Sequence, residues 1–74
     1  MLFQQKGEFE KAVAFHKRAI NLDPQYAAAF CNLGVALKNL GLKEEAITVY
    51  RQALQINPKM PEADNNLGNL LRVM

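Results

Sequence analysis

The chain has little of what most catalytic and metal sites require. One residue is cysteine and one is histidine, so no internal disulfide can form and no set of zinc ligands can be assembled. A catalytic pair of Cys31 and His16 would need the two side chains to be adjacent with a third group orienting the base, yet they lie in different helical segments. The four glycines are isolated from one another, so no glycine-rich phosphate loop is present. These absences argue against an enzyme and predict no cofactor and no metal.

Charge and hydrophobicity exclude further classes. The net charge is +2 and the longest basic run is Lys17-Arg18, whereas nucleic-acid binding needs a denser basic patch. No apolar run approaches the roughly 20 residues that cross a bilayer. The chain also turns polar directly after Leu2 and Phe3, unlike a secretory signal. We therefore expect no nucleic-acid or membrane partner, and the lone cysteine favours a reducing, cytoplasmic location.

What the chain does contain is an internal repeat. Sliding the sequence along itself until Gly7 falls on Gly41 superposes identical residues along its whole length, and we call this shift the repeat offset. The identical pairs are Gly7/Gly41, Glu10/Glu44, Ala12/Ala46, Ala19/Ala53, Pro24/Pro58, Ala29/Ala63, Asn32/Asn66, Leu33/Leu67, Gly34/Gly68 and Leu37/Leu71. A single constant offset is the signature of a repeat protein.

Hydrophobic spacing divides each period into two helices. We predict helices near 8–22, 26–40, 43–56 and 60–73, preceded by the tail of an earlier helix, and we find no strand alternation. Short connections make neighbouring helices antiparallel.

Particular residues mark the helix ends. Gly41 is expected to take the left-handed conformation that ends a helix. The pairs Asp23-Pro24 and Asn57-Pro58 are expected to cap and open the helices that follow them. Gly34 is expected to lie where two helix backbones approach closely, which would offset its low helix propensity.

At these positions the chain resembles the tetratricopeptide repeat, a helix–turn–helix unit of about 34 residues. One whole unit is matched across 27–60 by Phe30, Leu33-Gly34, Leu37, Ala46, Tyr50, Ala53 and Pro58. Residues 1–26 resemble the end of the first helix and the second helix of a preceding unit, and 61–74 resemble the first helix of a further unit. The resemblance implies an all-α fold of antiparallel helix–turn–helix repeats, stacked as a short right-handed α-solenoid. The phrases "AAAFCNLG" and "ADNNLGNLL" are also similar to the repeats of O-linked N-acetylglucosamine transferases, whose catalytic domain is not present.

The resemblance also implies a binding surface. In this family the first helix of each unit lines a concave groove that holds an extended peptide. The groove-facing residues would be Ala28, Cys31, Asn32, Val35, Lys38 and Asn39 from one unit, and Glu62, Asn65, Asn66, Asn69, Arg72 and Val73 from the next. Asn32 and Asn66 are equivalent, and a side-chain amide can both donate to and accept from a peptide backbone. Alternatively, the two asparagines hydrogen-bond neighbouring helices within the stack.

A non-enzymatic protein-interaction scaffold is therefore the leading hypothesis. Two alternatives stay open: a structural fragment that self-associates through uncapped ends, by head-to-tail stacking or helix exchange, and a recruitment segment of a larger enzyme. Self-association draws on apolar residues at both ends, since a solenoid needs polar capping surfaces. Those residues are Phe9, Val13 and Phe15 at one end, and Leu67, Leu70, Leu71, Val73 and Met74 at the other.

Overall fold

Four α-helices account for most of the chain. The computed structural model describes residues 2–72, with side chains from Gly7 onward. The helices are α1 Leu2–Leu22, α2 Ala27–Asn39, α3 Lys43–Ile56 and α4 Pro61–Arg72, and the described range contains no strand. Each helix packs on the next along the chain, and α2 also contacts α4. The prediction of an all-α fold of stacked helices is confirmed.

The start of α1 differs from the expectation. A separate earlier helix was expected to end before residue 8, whereas α1 runs without interruption through Gly7. A separate helix of about six residues is unstable because nucleation is costly, while continuing a helix across one glycine costs only about 1 kcal/mol relative to alanine. The side chains of Leu2 and Phe3 are not among those described, and Val73 and Met74 lie outside the described residues. The division into units 1–26, 27–60 and 61–74 stays a prediction.

The turn between α2 and α3 follows the sequence closely. Gly41 has a φ of 82°, the left-handed conformation expected of a residue that ends a helix. Its backbone N–H donates to the Lys38 carbonyl at 3.0 Å, and the N–H of Leu42 donates to the Leu37 carbonyl at 2.9 Å. These two bonds form a Schellman motif, so the carbonyls that α2 leaves open at its end are satisfied.

The two proline-containing connections differ from the prediction. Asp23 and Asn57 do not cap the next helix, because α2 begins later, at Ala27, and α4 begins at Pro61. Instead, the Asp23 side chain accepts from the backbone N–H of Gln25 at 3.2 Å, and the Asn57 side chain accepts from that of Lys59 at 3.1 Å. Each side chain therefore bonds two residues ahead and shapes a turn, which is the other common use of Asp and Asn.

The core lies between α2, α3 and α4. Its buried members are small or apolar: Phe30, Cys31, Leu33, Leu37, Ala46, Tyr50, Ala53, Ala63 and Leu70. From α1, Val13 and Ile20 pack against this cluster from the side. The two central helices, α2 and α3, are therefore covered on both sides, while α1 and α4 each pack mainly on one neighbouring helix.

Candidate functional site

The predicted groove residues lie on α2 and α4, which are in contact with each other. Both helices begin shortly after a turn that contains proline, so α2 and α4 occupy equivalent positions in successive repeats. Asn32 and Asn39 are exposed on α2, while Val35 and Lys38 are half-buried there.

On α4 the predicted residues are polar and mostly exposed. Asn65, Asn69 and Arg72 are exposed and Asn66 is half-buried. Asn69 and Arg72 are linked to each other, since the Arg72 guanidinium donates to the Asn69 side-chain oxygen at 2.6 Å. A ligand that binds either of these two side chains must compete with this bond. Val73, expected on the same surface, lies outside the described residues.

An open cavity of about 360 Å³ lies where three helices converge. Its lining residues are Phe9, Ala12 and His16 from α1, Asn32, Val35 and Ala36 from α2, and Glu62 from α4. Apolar side chains therefore share the cavity with a carboxylate, an imidazole and an amide. Such a mixture can hold an apolar side chain of a ligand while polar groups at the same place orient its backbone.

The structure brings together only part of the predicted set. Asn32, Val35 and Glu62 meet in this cavity, whereas Asn39, Asn65, Asn69 and Arg72 lie outside its lining. The contribution of α1 was missed because the sequence interpretation placed ligand contacts on the first helix of each unit. The repeat itself could have indicated that α1 contributes. By the repeat offset, Ala12 and His16 on α1 are equivalent to Ala46 and Tyr50, which pack against neighbouring helices in the core.

Cys31 also differs from the expectation that it faces a ligand. Its exposed fraction is 2 % and it belongs to the core cluster. Burial raises the pKa of the Cys31 thiol, and the nearby carboxylate of Glu62 raises it further. The Cys31 thiol is therefore protonated and unreactive, and its side chain packs in the core beneath the exposed surface of α2.

Tyr50 lies fully buried at the centre of the core, and its hydroxyl has no hydrogen-bond partner among the described side chains, residues 7–72. Burial raises the pKa of Tyr50 to about 12, and the thiol of Cys31 adds to this effect. The side chain of Asn66 acts on this pKa in the opposite direction and lowers it. Asn66 is half-buried on α4, while Asn32 is exposed on α2. The choice between the two interpretations of these asparagines stays a prediction.

Sites of other kinds are not seen in the described part of the chain. Between residues 2 and 72 no three His, Cys, Asp or Glu side chains are grouped so that they could hold a metal ion. None of the four described helices combines the length and the apolar character needed to cross a membrane.

Stacked helices with a repeating sequence define this chain as a helical repeat protein. Comparison with protein families gives two matches: one described as TPR repeat, over residues 2–41, and one described as Tetratricopeptide repeat, over residues 27–60. The chain belongs to the tetratricopeptide repeat family. Repeats of this family generally mediate protein–protein interactions and are typically non-enzymatic modules. A search of curated proteins found no match.

Proposed function

We propose that this chain is a non-enzymatic interaction module that binds an extended peptide segment of a partner protein across α2 and α4. The observation that carries the proposal is the open cavity lined by Asn32, Val35 and Glu62 together with Phe9, Ala12 and His16. The cavity accepts one apolar side chain of the peptide, and the exposed amide of Asn32 binds the adjacent peptide backbone.

The surrounding polar residues extend this surface along the two helices. Lys38, Asn39, Asn65, Asn69 and Arg72 provide further donors and acceptors along α2 and α4. The resemblance of the two asparagine positions to repeats of O-linked N-acetylglucosamine transferases supports backbone recognition at Asn32. The same resemblance keeps open a role as the recruitment segment of a larger enzyme. The proposal includes the cytoplasmic location predicted from the sequence, consistent with one free cysteine.

Peptide binding is tested by selecting ligands from a displayed library of random peptides and measuring their affinity by fluorescence anisotropy. We expect Asn32→Ala to weaken binding by about tenfold, the effect of losing one or two hydrogen bonds of about 1 kcal/mol each. Asn66→Ala is expected to act more on stability than on affinity, because this amide is half-buried on α4. Gln52→Ala, at an exposed amide of α3, is the matched control. Unchanged affinity in Asn32→Ala, or no selectable peptide, would contradict the proposal.

A second candidate function is self-association of the chain. The observation that favours it is the exposure of large apolar side chains on the two outer helices: Phe15 and Leu22 on α1, at 70 % and 86 %, and Leu71 on α4, at 46 %. Residues of this kind are usually covered when they recur on one helix face. Light scattering over a range of concentrations tests the candidate, and a monodisperse monomer throughout would exclude it.

A further inference from the structure

The repeat allows each outer helix to be compared with an equivalent inner helix. By the repeat offset, α1 corresponds to α3 and α4 corresponds to α2. The inner helix α3 packs on both α2 and α4, whereas α1, among the four described helices, packs on α2 alone. Positions that are more deeply buried on α3 than at the equivalent places on α1 therefore mark the surface that α2 covers on α3.

This comparison defines an α1 face made of Ala12, Phe15, Ala19 and Leu22. On α3 the equivalents of the two alanines are Ala46 and Ala53, both fully buried, and the equivalents of Phe15 and Leu22 are half-buried in the core. On α1 both large side chains are exposed. Within the described chain, the α1 face thus lacks a helix that corresponds to α2.

The same comparison defines an α4 face made of Gly68 and Leu71. Their equivalents on α2 are Gly34, which lies directly against the Tyr50 ring, and Leu37, which is 2 % exposed. On α4, a Cβ added at Gly68 would meet nothing within 4 Å, and Leu71 is 46 % exposed. Within the described chain, the α4 face lacks a helix that corresponds to α3.

We propose that the α4 face of one copy docks on the α1 face of a second copy and recreates between chains the α2–α3 packing found within each chain. This inference rests on the second proposed function, self-association, and names the two surfaces that meet. The contact is head-to-tail, because the two surfaces differ. A pair of copies therefore keeps one free α1 face and one free α4 face, and the assembly can grow.

Charge complementarity supports this pairing. Asp64 on α4 occupies the position of Phe30 on α2, a member of the buried core cluster. Docked on a second copy, Asp64 would enter the same kind of near-buried position, where a carboxylate needs a cationic partner. Arg18, at the edge of the α1 face, supplies one, since it lines a cavity of about 220 Å³ together with Phe15, Ala19 and Leu22 of that face. The residue equivalent to Arg18 on α3 is the uncharged Gln52.

Two variants block one surface each. Phe15→Glu places a charge on the α1 face, and Leu71→Glu places one on the α4 face; both side chains are exposed, so the fold should persist, which circular dichroism checks. In sedimentation velocity over a range of concentrations, we expect the parent chain to form growing oligomers and each variant alone to be a monomer. Mixed together, the two variants should form a dimer and nothing larger, because one open pair of surfaces remains. Gln52→Glu on α3 is the control with the same charge change and should associate like the parent.

A charge swap tests the orientation. Arg18→Glu should abolish assembly, and combining it with Asp64→Arg in the same chain should restore it. Several outcomes would overturn the inference. If the mixed variants stay monomeric, or if Leu71→Glu still associates while Phe15→Glu does not, the contact is not head-to-tail, although self-association would stand. Persistence of dimers in both single variants would indicate helix exchange instead. A parent chain that is monomeric at every concentration would exclude self-association altogether, while peptide binding through Asn32 would be unaffected.

Discussion

Replacing Gly34 by alanine is a direct test of the packing between α2 and α3. A Cβ atom at this position would lie 2.7 Å from Cε1 and Cζ of Tyr50 and 2.9 Å from its Cδ1. Non-bonded carbons prefer separations of about 3.5–4.0 Å, so the methyl group and the ring would overlap by roughly 1 Å. Tyr50 has no exposed surface, so its ring cannot relieve the overlap by turning into solvent.

Two effects of opposite sign decide the result. Alanine is the better helix former by about 1 kcal/mol, while overpacking a close-packed core costs about 1–3 kcal/mol. With about 2 kcal/mol taken for overpacking, the free energy of unfolding falls by about 1 kcal/mol. For a domain of this size, that lowers the Tm by about 4–8 °C.

The repeat provides matched controls in the same chain. Among the described atoms, a Cβ added at Gly68, the equivalent of Gly34, meets nothing within 4 Å, and the same holds at Gly7 in α1. Gly68→Ala and Gly7→Ala should therefore raise the free energy of unfolding by about 0.5–1 kcal/mol. Urea unfolding followed by circular dichroism, at concentrations where the chain is monomeric, measures all three variants.

The reasoning would be refuted if Gly34→Ala stabilised the protein as much as the two controls do. Measuring Gly34→Ala in a protein that already carries Tyr50→Leu is a stricter test. In Tyr50→Leu the ring is gone, so the loss caused by Gly34→Ala should disappear, and the pair should show a coupling energy of about 1–2 kcal/mol. Additive effects of the two substitutions would mean that Gly34 and Tyr50 do not press on each other.

Three further outcomes are expected from the buried polar groups. Burial raises the pKa of Tyr50 from 10.0 to about 12, so the unfolded chain loses the phenol proton at a lower pH than the folded protein does. The free energy of unfolding should therefore fall by on the order of 2 kcal/mol as the pH rises from the lower of these pKa values to the higher. Urea titrations at each pH should show a smaller decline in Tyr50→Phe than in the parent chain, and an equal decline in both would contradict the assignment. At neutral pH, Tyr50→Phe should raise the free energy of unfolding by up to about 1 kcal/mol, because it removes a buried hydroxyl without a partner; a loss of stability would reveal a hydrogen bond. The thiol of Cys31 should react with Ellman's reagent far more slowly in the folded protein than in the urea-unfolded protein, because the thiol is buried and its pKa is raised. Equal reaction rates would show that the thiol is accessible in the folded protein.

The helical fold was predictable because its signals are local. Hydrophobic spacing, the constant repeat offset and the left-handed conformation of Gly41 can be read from the order of residues along the chain. The helix starts after Asp23 and Asn57 were less predictable, because Asp and Asn serve equally well as caps and as turn formers. The choice between these roles depends on how the following helix is placed against the core.

The candidate site was predictable in part. Asn32 and Val35 were named from their positions in the repeat, and both line the cavity. The burial of Cys31 and the contribution of His16 from α1 were not foreseen. Both depend on which helices are neighbours in the fold. The residues on one face of a helix do not by themselves specify which helix packs against that face.

By itself, the sequence determined that the chain is a helical repeat and that positions related by the repeat offset play the same local role. The tertiary structure decided which of two equivalent residues is buried. Gly34 and Gly68 have the same helical context, yet the first lies against Tyr50 and the second meets no atom within 4 Å. The physical reason is that backbone conformation depends on neighbours in sequence, whereas burial depends on whether another helix covers the face. In this chain α2 lies between α1 and α3, while α4 packs mainly on α3.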